Sequence, residues 1–323
     1  MSRKIKVNLS YFTYSILIHD AEVFRFLKND YSINKNAFLN KLIYNFVDET
    51  NNTIDTFSTS LKSLLKDKLK KKDELDDIVS KITNLNENAE DNYKKNYSLS
   101  FVTTSKYEAV YDDIEDYYLK DMTLSRYLRK LFDTYARLNQ DYRERIIFKQ
   151  ELNALVKAKE NHHKVSLKLK KGNIKCSLVE VKATKDRQFL YLVLINDRTK
   201  ELYPLNLYKV LDVRELREES DYTGTKLLGS ETKDPQFLTS KEIDCKVKFT
   251  EKGMRLFSDI LLYRPQVVKR DDCYLYFHCS FFQLYIYLNR FGKEALVIYP
   301  EELKERLRDF YYEALIKYDS DEM

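Results

Sequence analysis

Residues 4–9 alternate strictly: Ile5, Val7 and Leu9 fall on one face and Lys4, Lys6 and Asn8 on the other, which predicts a short, half-buried strand. The spacing then lengthens. Leu17, Ala21, Phe24 and Leu27 recur every three to four positions, and beyond a break at Asn29-Asp30-Tyr31-Ser32 so do Ala37, Phe38, Leu42, Ile43 and Phe46. That period predicts two helices, the second over residues 34–48. An alternative register puts the strand at Tyr14-Ser15-Ile16-Leu17-Ile18. A lone strand followed by two helices leaves its apolar face uncovered, so pairing with the same strand of a second chain is expected.

Residues 51–160 read as mainly helical. Leu61, Leu64, Leu65, Leu75, Ile78, Ile82 and Leu85 predict one long amphipathic helix with the lysine run 66–72 near its exposed face. A polar gap over 84–96 follows, then helices over 124–138 and 142–159. From 161 the alternation of a sheet returns. Val165, Leu167 and Leu169 lead to Gly172-Asn173, read as a two-residue hairpin turn, and Ile174, Cys176 and Leu178 continue until the pattern slips at Val179 and Val181. Such a slip predicts a bulge. The apolar run Gln188 to Ile195 reads as a buried strand, a charged turn follows at Asn196 to Lys200, and strand-like segments over 203–210 and 207–213 complete a five-strand set. Residues 221–242 form a polar loop. Beyond it the predicted order is strand (243–249), helix (251–262), strand (266–269), strand (273–279), helix (281–290), strand (295–299) and helix (300–317). The first six make βαββαβ, the ferredoxin-like order. Pro300 with Glu301 and Glu302 is good chemistry for starting the last helix.

Composition narrows this picture. Five glycines and four prolines in 323 residues disfavour Gly-rich phosphate loops, and 43% hydrophobic content is ample for packed cores. A chain of this length is expected to form two or three domains. The 26 tyrosines and absent tryptophan suit surfaces apolar in body and polar at the tip. Net charge is only +5, yet residues 164–187 hold eight basic groups against two acidic ones. A localised positive surface suits phosphate; a solvated, lysine-rich hairpin is the plain alternative.

Several chemistries are excluded. Cys176, Cys245, Cys273 and Cys279 lack metal spacing, His162-His163 stands apart from them, and no CxxC or HExxH occurs, so no metal and no cofactor is expected. No Walker loop, nucleophile elbow, kinase signature or Arg-x4-His ribonuclease motif is present. The carboxylates Asp76-Asp77 and Asp112-Asp113-Ile114-Glu115-Asp116 read as surface helix charge. Catalysis is not expected. The start of the chain lacks the apolar core of a signal peptide and no apolar run reaches membrane-spanning length, which predicts a cytoplasmic protein without membrane partners.

The stretch from the basic hairpin through Leu190-Tyr191-Leu192 to Lys209, with Phe291-Gly292-Lys293 and Val297-Ile298-Tyr299-Pro300-Glu301-Glu302-Leu303 downstream, resembles the WYL domain and its usual extension, with Leu190 at the tryptophan position. The N-terminal pattern, most specifically Asp30-Tyr31-Ser32-Ile33-Asn34-Lys35, resembles the ribbon-helix-helix fold. Together these imply an α+β protein in four parts: a ribbon-helix-helix (1–50), a helical middle (51–160), a small Sm/SH3-like WYL barrel (161–220) and a ferredoxin-like extension (221–323). WYL domains bind ligands or nucleic acid. The resemblance assigns ligand-facing roles to Lys168, Lys170, Arg187, Tyr191 and Lys209, and the basic hairpin and charged turn add Lys171, Lys175 and Arg198. In the ribbon, Lys4, Lys6 and Asn8 would face DNA and Asn34 and Lys35 its phosphates, or the ribbon would serve dimerisation alone. This combination is similar to the WYL accessory proteins of type VI-D CRISPR systems. The expected partners are therefore single-stranded RNA, a CRISPR effector ribonuclease and a second copy of the chain. The rival expectation is a transcriptional repressor on duplex DNA with a ligand-sensing WYL domain.

Overall fold

The ribbon strand β1 (Lys4–Leu9) forms with the predicted faces, burying Ile5, Val7 and Leu9 and exposing Lys4, Lys6 and Asn8. Its partner corrects the expectation. β1 pairs antiparallel with β2 (Tyr97–Val102) of the same chain, from Lys4↔Val102 to Leu9↔Tyr97. In this computed structural model residues 3–48, 78, 97–119, 122–222, 233–239 and 241–319 are described; the predicted long amphipathic helix and the lysine run 66–72 lie outside them. The alternative strand at 14–18 is part of helix α1 (Tyr11–Val23), whose first turn is capped by Ser10. Helix α2 covers residues 35–48.

A short helix α3 (Glu108–Asp113) precedes α4 (Leu124–Ala136), where the Thr123 hydroxyl caps the start and Tyr127, Leu128, Leu131, Phe132 and Tyr135 form a buried stripe. Helix α4 lies along β1. Ser125 Oγ donates to the Lys6 carbonyl at 3.1 Å and Arg129 Nε to the Asn8 carbonyl at 2.9 Å. β1 thus has a strand partner on one edge, α4 against the other at two carbonyls, and its apolar face buried within one chain, so the lone uncovered strand from which a homodimer was expected is not present. The helix predicted over 142–159 divides at Phe148 into α5 (Gln140–Ile147) and α6 (Lys149–Glu160).

Five antiparallel strands follow: β3 (His163–Leu169), β4 (Gly172–Ala183), β5 (Leu190–Asn196), β6 (Leu202–Asn206) and β7 (Asp212–Glu219), in the order β6-β5-β4-β3-β7. The expected bulge in β4 falls between Leu178 and Glu180. The hairpin turn is Lys170-Lys171, not Gly172-Asn173: Leu169 pairs with Gly172, which takes φ 123 as the first residue of β4. The strand expected over 203–210 stops at Asn206, and Leu207–Lys209 coil into a 3₁₀ turn before β7 pairs with β3. Among the described residues β6 and β7 are edge strands not bonded to each other, so the sheet stays open where the resemblance implied a closed barrel. Helix α6 lies across β3, β4 and β7.

One apolar core runs from Ile5 and Leu17 through Phe38, Leu131 and Phe132 to Val165, Leu192 and Leu207, so the N-terminal layer and the five-stranded sheet share it. Inside it, Arg143 grips Asp20 through Nε–Oδ2 at 2.6 Å and Nη2–Oδ1 at 3.0 Å, and the Tyr135 hydroxyl donates to Oδ2 at 2.8 Å. Each carboxylate oxygen is bonded, as a fully buried charge requires.

The C-terminal unit has its own core. Its strands are β8 (Glu242–Phe249), β9 (Val267–Asp271), β10 (Tyr274–Ser280) and β11 (Ala295–Tyr299), with α7 (Glu251–Asp259), α8 (Phe281–Leu288) and α9 (Glu301–Asp319). The element order is as predicted, and the sheet order β11-β8-β10-β9 suits it. Strand direction agrees as well: β8–β10, β9–β10 and β8–β11 all run antiparallel, as when each split βαβ unit takes an antiparallel strand of the other between its two strands.

Candidate nucleic-acid interface

Between the N-terminal helices and the five-stranded sheet lies a cleft of about 620 Å³. The α1–α2 turn brings Arg25, the middle of α2 Lys41, the α5–α6 junction Phe148 and Glu151, the β3–β4 turn Lys170 and Lys171, β6 Tyr203, and the 3₁₀ turn Tyr208 and Lys209. Five cations face a single carboxylate, Glu151, which Lys41 binds at 2.6 Å. Aromatic rings separate the cations. Arg25 lies 5.5 Å from the Tyr208 ring centroid, Lys209 lies 5.9 Å from it on the same ring, and Lys41 lies 4.8 Å from Phe148. Burial and the nearby Arg25 pull the Lys209 ammonium below its ordinary value. A phosphate placed there would relieve that repulsion.

Arg25 owes its position to how α1 ends. Phe26 N–H reaches back to Ala21 O at 2.8 Å and Arg25 N–H to Glu22 O at 2.9 Å, with Arg25 at φ 60. This is a Schellman cap whose left-handed position normally carries glycine. An arginine there accepts backbone strain of roughly 1 kcal/mol and gains a guanidinium aimed into the cleft.

Tyr208 is held from beneath. Glu144 of α5, fully buried, accepts from Leu190 N–H at 2.6 Å and from Tyr208 N–H at 3.2 Å, tying the first residue of β5 and the 3₁₀ turn to one carboxyl. Burial pushes that carboxyl up to about 8, against the pull of the two N–H groups.

The residues singled out in the sequence divide between several places. Lys170, Lys171 and Lys209 meet in the cleft, and Lys168 is exposed on β3 directly before the Lys170-Lys171 turn. Lys175 pairs with Glu218 and with Asp197 at 3.5 Å. It belongs to a network in which Lys164 bonds Asp197 at 2.6 Å and Asp221 at 3.0 Å, and Lys200 bonds both at 2.9 Å. Lys164 and Lys200 hold the Asp197 carboxyl well below the usual range. Much of the hairpin's positive charge is therefore neutralised locally by carboxylates from later in the chain. Arg187, with φ 57, latches Asp141 through Nη2–Oδ2 at 3.1 Å, while its carbonyl accepts from Asp141 N–H at 3.0 Å. The half-buried Tyr191 donates its hydroxyl to Gln236 at 3.4 Å, and Arg198 is exposed in the β5–β6 turn. Asn34 caps α2 by accepting from Ala37 N–H at 3.1 Å, and Lys35 lies 5.9 Å from the Tyr14 ring. Lys4, Lys6 and Asn8 face solvent on β1.

Arg25 and Lys41 were not singled out. The triplet Phe24-Arg25-Phe26, a cation between two aromatics, was the available signal for the first. Lys41 looked like any solvated helix lysine until its neighbours were in place. Burial pushes the thiols of Cys176, Cys245 and Cys279 up to about 12, which leaves them poor nucleophiles at neutral pH. Among the described residues no cluster of three or more His, Cys, Asp or Glu could hold a metal ion, and no helix is long and apolar enough to cross a membrane.

The fold is a known one. A CRISPR Cas-related protein of known crystal structure superposes on the whole chain with TM-score 0.71 at 18% identity, covering 100% of this chain and 96% of that one. The proteasome accessory factor PafBC of Arthrobacter aurescens aligns over 69% of this chain and 37% of its own at 13% identity, with a TM-score of only 0.31. No protein-family model and no curated protein matches the sequence.

Proposed function

We propose that the protein is a non-catalytic, single-stranded RNA-binding accessory that stimulates a type VI-D CRISPR RNA-guided ribonuclease, with the five-stranded sheet acting as a WYL domain. The observation that carries this reading is the cleft. Arg25, Lys170, Lys171 and Lys209 offer phosphate ligands, and Tyr203 and Tyr208 offer faces on which unpaired bases stack. Stackable rings among cations suit a single strand, whose bases are free to leave one another. A duplex keeps its bases paired and makes no use of such rings. The likeness of the whole chain to a CRISPR Cas-related protein supports the same setting.

The repressor reading keeps one observation in its favour: Lys4, Lys6 and Asn8 stand in a row on the solvent face of β1. The two readings separate in a cleavage assay. A type VI-D effector with its guide and target RNA is assayed with and without this protein. The wild-type protein raises the cleavage rate, and Arg25→Ala/Lys209→Ala does so much less, while Lys4→Ala/Lys6→Ala behaves as wild type. Equal rates with and without the wild-type protein would sink the proposal.

A further inference from the structure

Among the described residues, helices α7, α8 and α9 pack on one face of the C-terminal sheet and none on the other. The side chains under α7, α8 and α9 are apolar, including Val247, Leu275, Phe277 and Val297. Alternate residues of the same strands form a different surface. On β10 these are Tyr274 and Tyr276, directly across from Lys248 and Lys246 of β8, and Lys269 of β9 lies across from Tyr276. None of the five belongs to the apolar core beneath the helices. β8 and β10 are the two central strands, so the rings sit in the middle of the face.

The lysines and rings already interact. Lys246 Nζ lies 4.4 Å from the Tyr274 ring centroid and 5.3 Å from that of Tyr276. Lys269 lies 5.3 Å from Tyr276, and Lys248 lies 6.0 Å from Tyr274. At the β11 edge, Leu296 across from Lys248 is 54% exposed and Tyr299 across from Lys246 is 58% exposed. One acid shares the face: Asp271, across from Tyr274 on the outer strand, acts on Lys246 and leaves the three lysines in excess, while Asp244 is engaged by His278 at 2.7 Å.

We propose that this face is a second single-stranded nucleic-acid platform, separate from the cleft, in which neighbouring bases stack on Tyr274 and Tyr276 while Lys246, Lys248 and Lys269 neutralise the adjoining phosphates. Geometry, charge and chemistry each support it. Residues two apart on one face of a strand stand ~6.8 Å from each other, a spacing an extended strand can match base for base. A tyrosine face stacks with any base, so the surface reads little sequence. Both rings are half-buried, and an ammonium over such a ring at the surface is held modestly enough for an arriving base to displace it towards the phosphate beside that base. A helix-backed antiparallel sheet with aromatics on a central strand is also how known RNA-binding sheets present stacking rings. The occupant is a polyanion with flat, stackable groups. RNA and single-stranded DNA share that chemistry, and the test separates them.

Fluorescence anisotropy with labelled oligo(U) and oligo(dT) of 6 and 20 nucleotides is measured on the full chain and three variants. Tyr274→Ala/Tyr276→Ala is expected to weaken binding of the 20-mer by about tenfold per ring. Tyr274→Phe/Tyr276→Phe keeps the ring faces and is expected to bind as wild type, which also shows that the effect is stacking and not loss of fold. Arg25→Ala/Lys209→Ala weakens binding independently, so its loss combines with that of the tyrosine pair. A larger loss on oligo(U) than on oligo(dT) in the alanine pair assigns the platform to RNA, and an equal loss assigns it to any single strand. Wild-type affinity in the alanine pair would overturn the platform while leaving the cleft reading intact. A Phe pair as weak as the Ala pair would overturn stacking. A changed sedimentation coefficient in the alanine pair with unchanged affinity would mark a protein-binding face instead, and would also overturn the proposal.

Discussion

A carboxyl group buried with two backbone N–H groups and only a minor pull from Arg145 to offset its desolvation carries the sharpest residue-scale prediction. Glu144 ties α5 to β5 and to the Tyr208 turn, and burial raises it from an ordinary 4.5 to about 8. The folded state therefore holds a proton that the unfolded state has released. The stability linked to that proton is fully present below about pH 4.5 and is lost as pH rises through about 8, amounting to a few kcal/mol. Glu144→Gln stays neutral throughout. Denaturant midpoints between pH 5 and 9 should fall for the wild type relative to the variant and level off above pH 8; parallel curves would show that Glu144 is ionised when folded. None of this was legible in the sequence. Glu144 there is one acid near the start of the helix predicted over 142–159, with nothing to set it apart from Asp141 and Glu151. Its burial comes from a strand 46 residues further along the chain.

At the scale of elements, hydrophobic period located most strands and helices and misplaced their ends. β1, the β4 bulge and the C-terminal element order followed from residue spacing alone. β2 was missed because Tyr97–Val102 offers only Leu99 and Phe101 as fully buried positions beside two serines, a signal weaker than the helical stretches around it. The β3–β4 turn was displaced by two residues because glycine was taken to sit within the turn, whereas Gly172 takes its positive φ just after it. That displacement has a functional consequence, since it puts Lys170 and Lys171 at the tip of the hairpin and beside the cleft. The end of α1 carries the element-scale prediction. Arg25→Gly places the preferred residue at the left-handed position of the cap and is expected to hold or raise stability by up to ~1 kcal/mol. It should also weaken RNA binding, because it removes the guanidinium stacked on Tyr208. Thermal melting and anisotropy on one preparation check both halves. A variant that is less stable and binds as wild type would contradict the role given to Arg25.

Across the whole molecule, the N-terminal layer and the five-stranded sheet are one packed body, and the cleft lies where their surfaces diverge. This explains why a site read from one sheet was incomplete. Lys170, Lys171 and Lys209 were visible as cations near an aromatic strand, but their partners Arg25 and Lys41 arrive from helices more than a hundred residues earlier. Charge alone left the lysine-rich hairpin open between a phosphate surface and a solvated hairpin, and Asp197, Glu218 and Asp221 bind three of the lysines in and near it. The electropositive surface left for a polyanion is narrower and better defined than the count of lysines suggested.

The most direct measurement is the salt dependence of single-stranded RNA binding by anisotropy, with matched single-stranded and duplex DNA as controls. Binding through the cleft predicts sequence-independent affinity for the single strand and a linear fall of log K with log salt. The slope should shrink by roughly 0.7 for each cation removed among Arg25, Lys170 and Lys209, and should change little for Lys175→Ala, whose charge is already committed. Preference for one duplex sequence, unchanged by those substitutions and lost in Lys4→Ala/Lys6→Ala, would contradict the cleft and place recognition on β1.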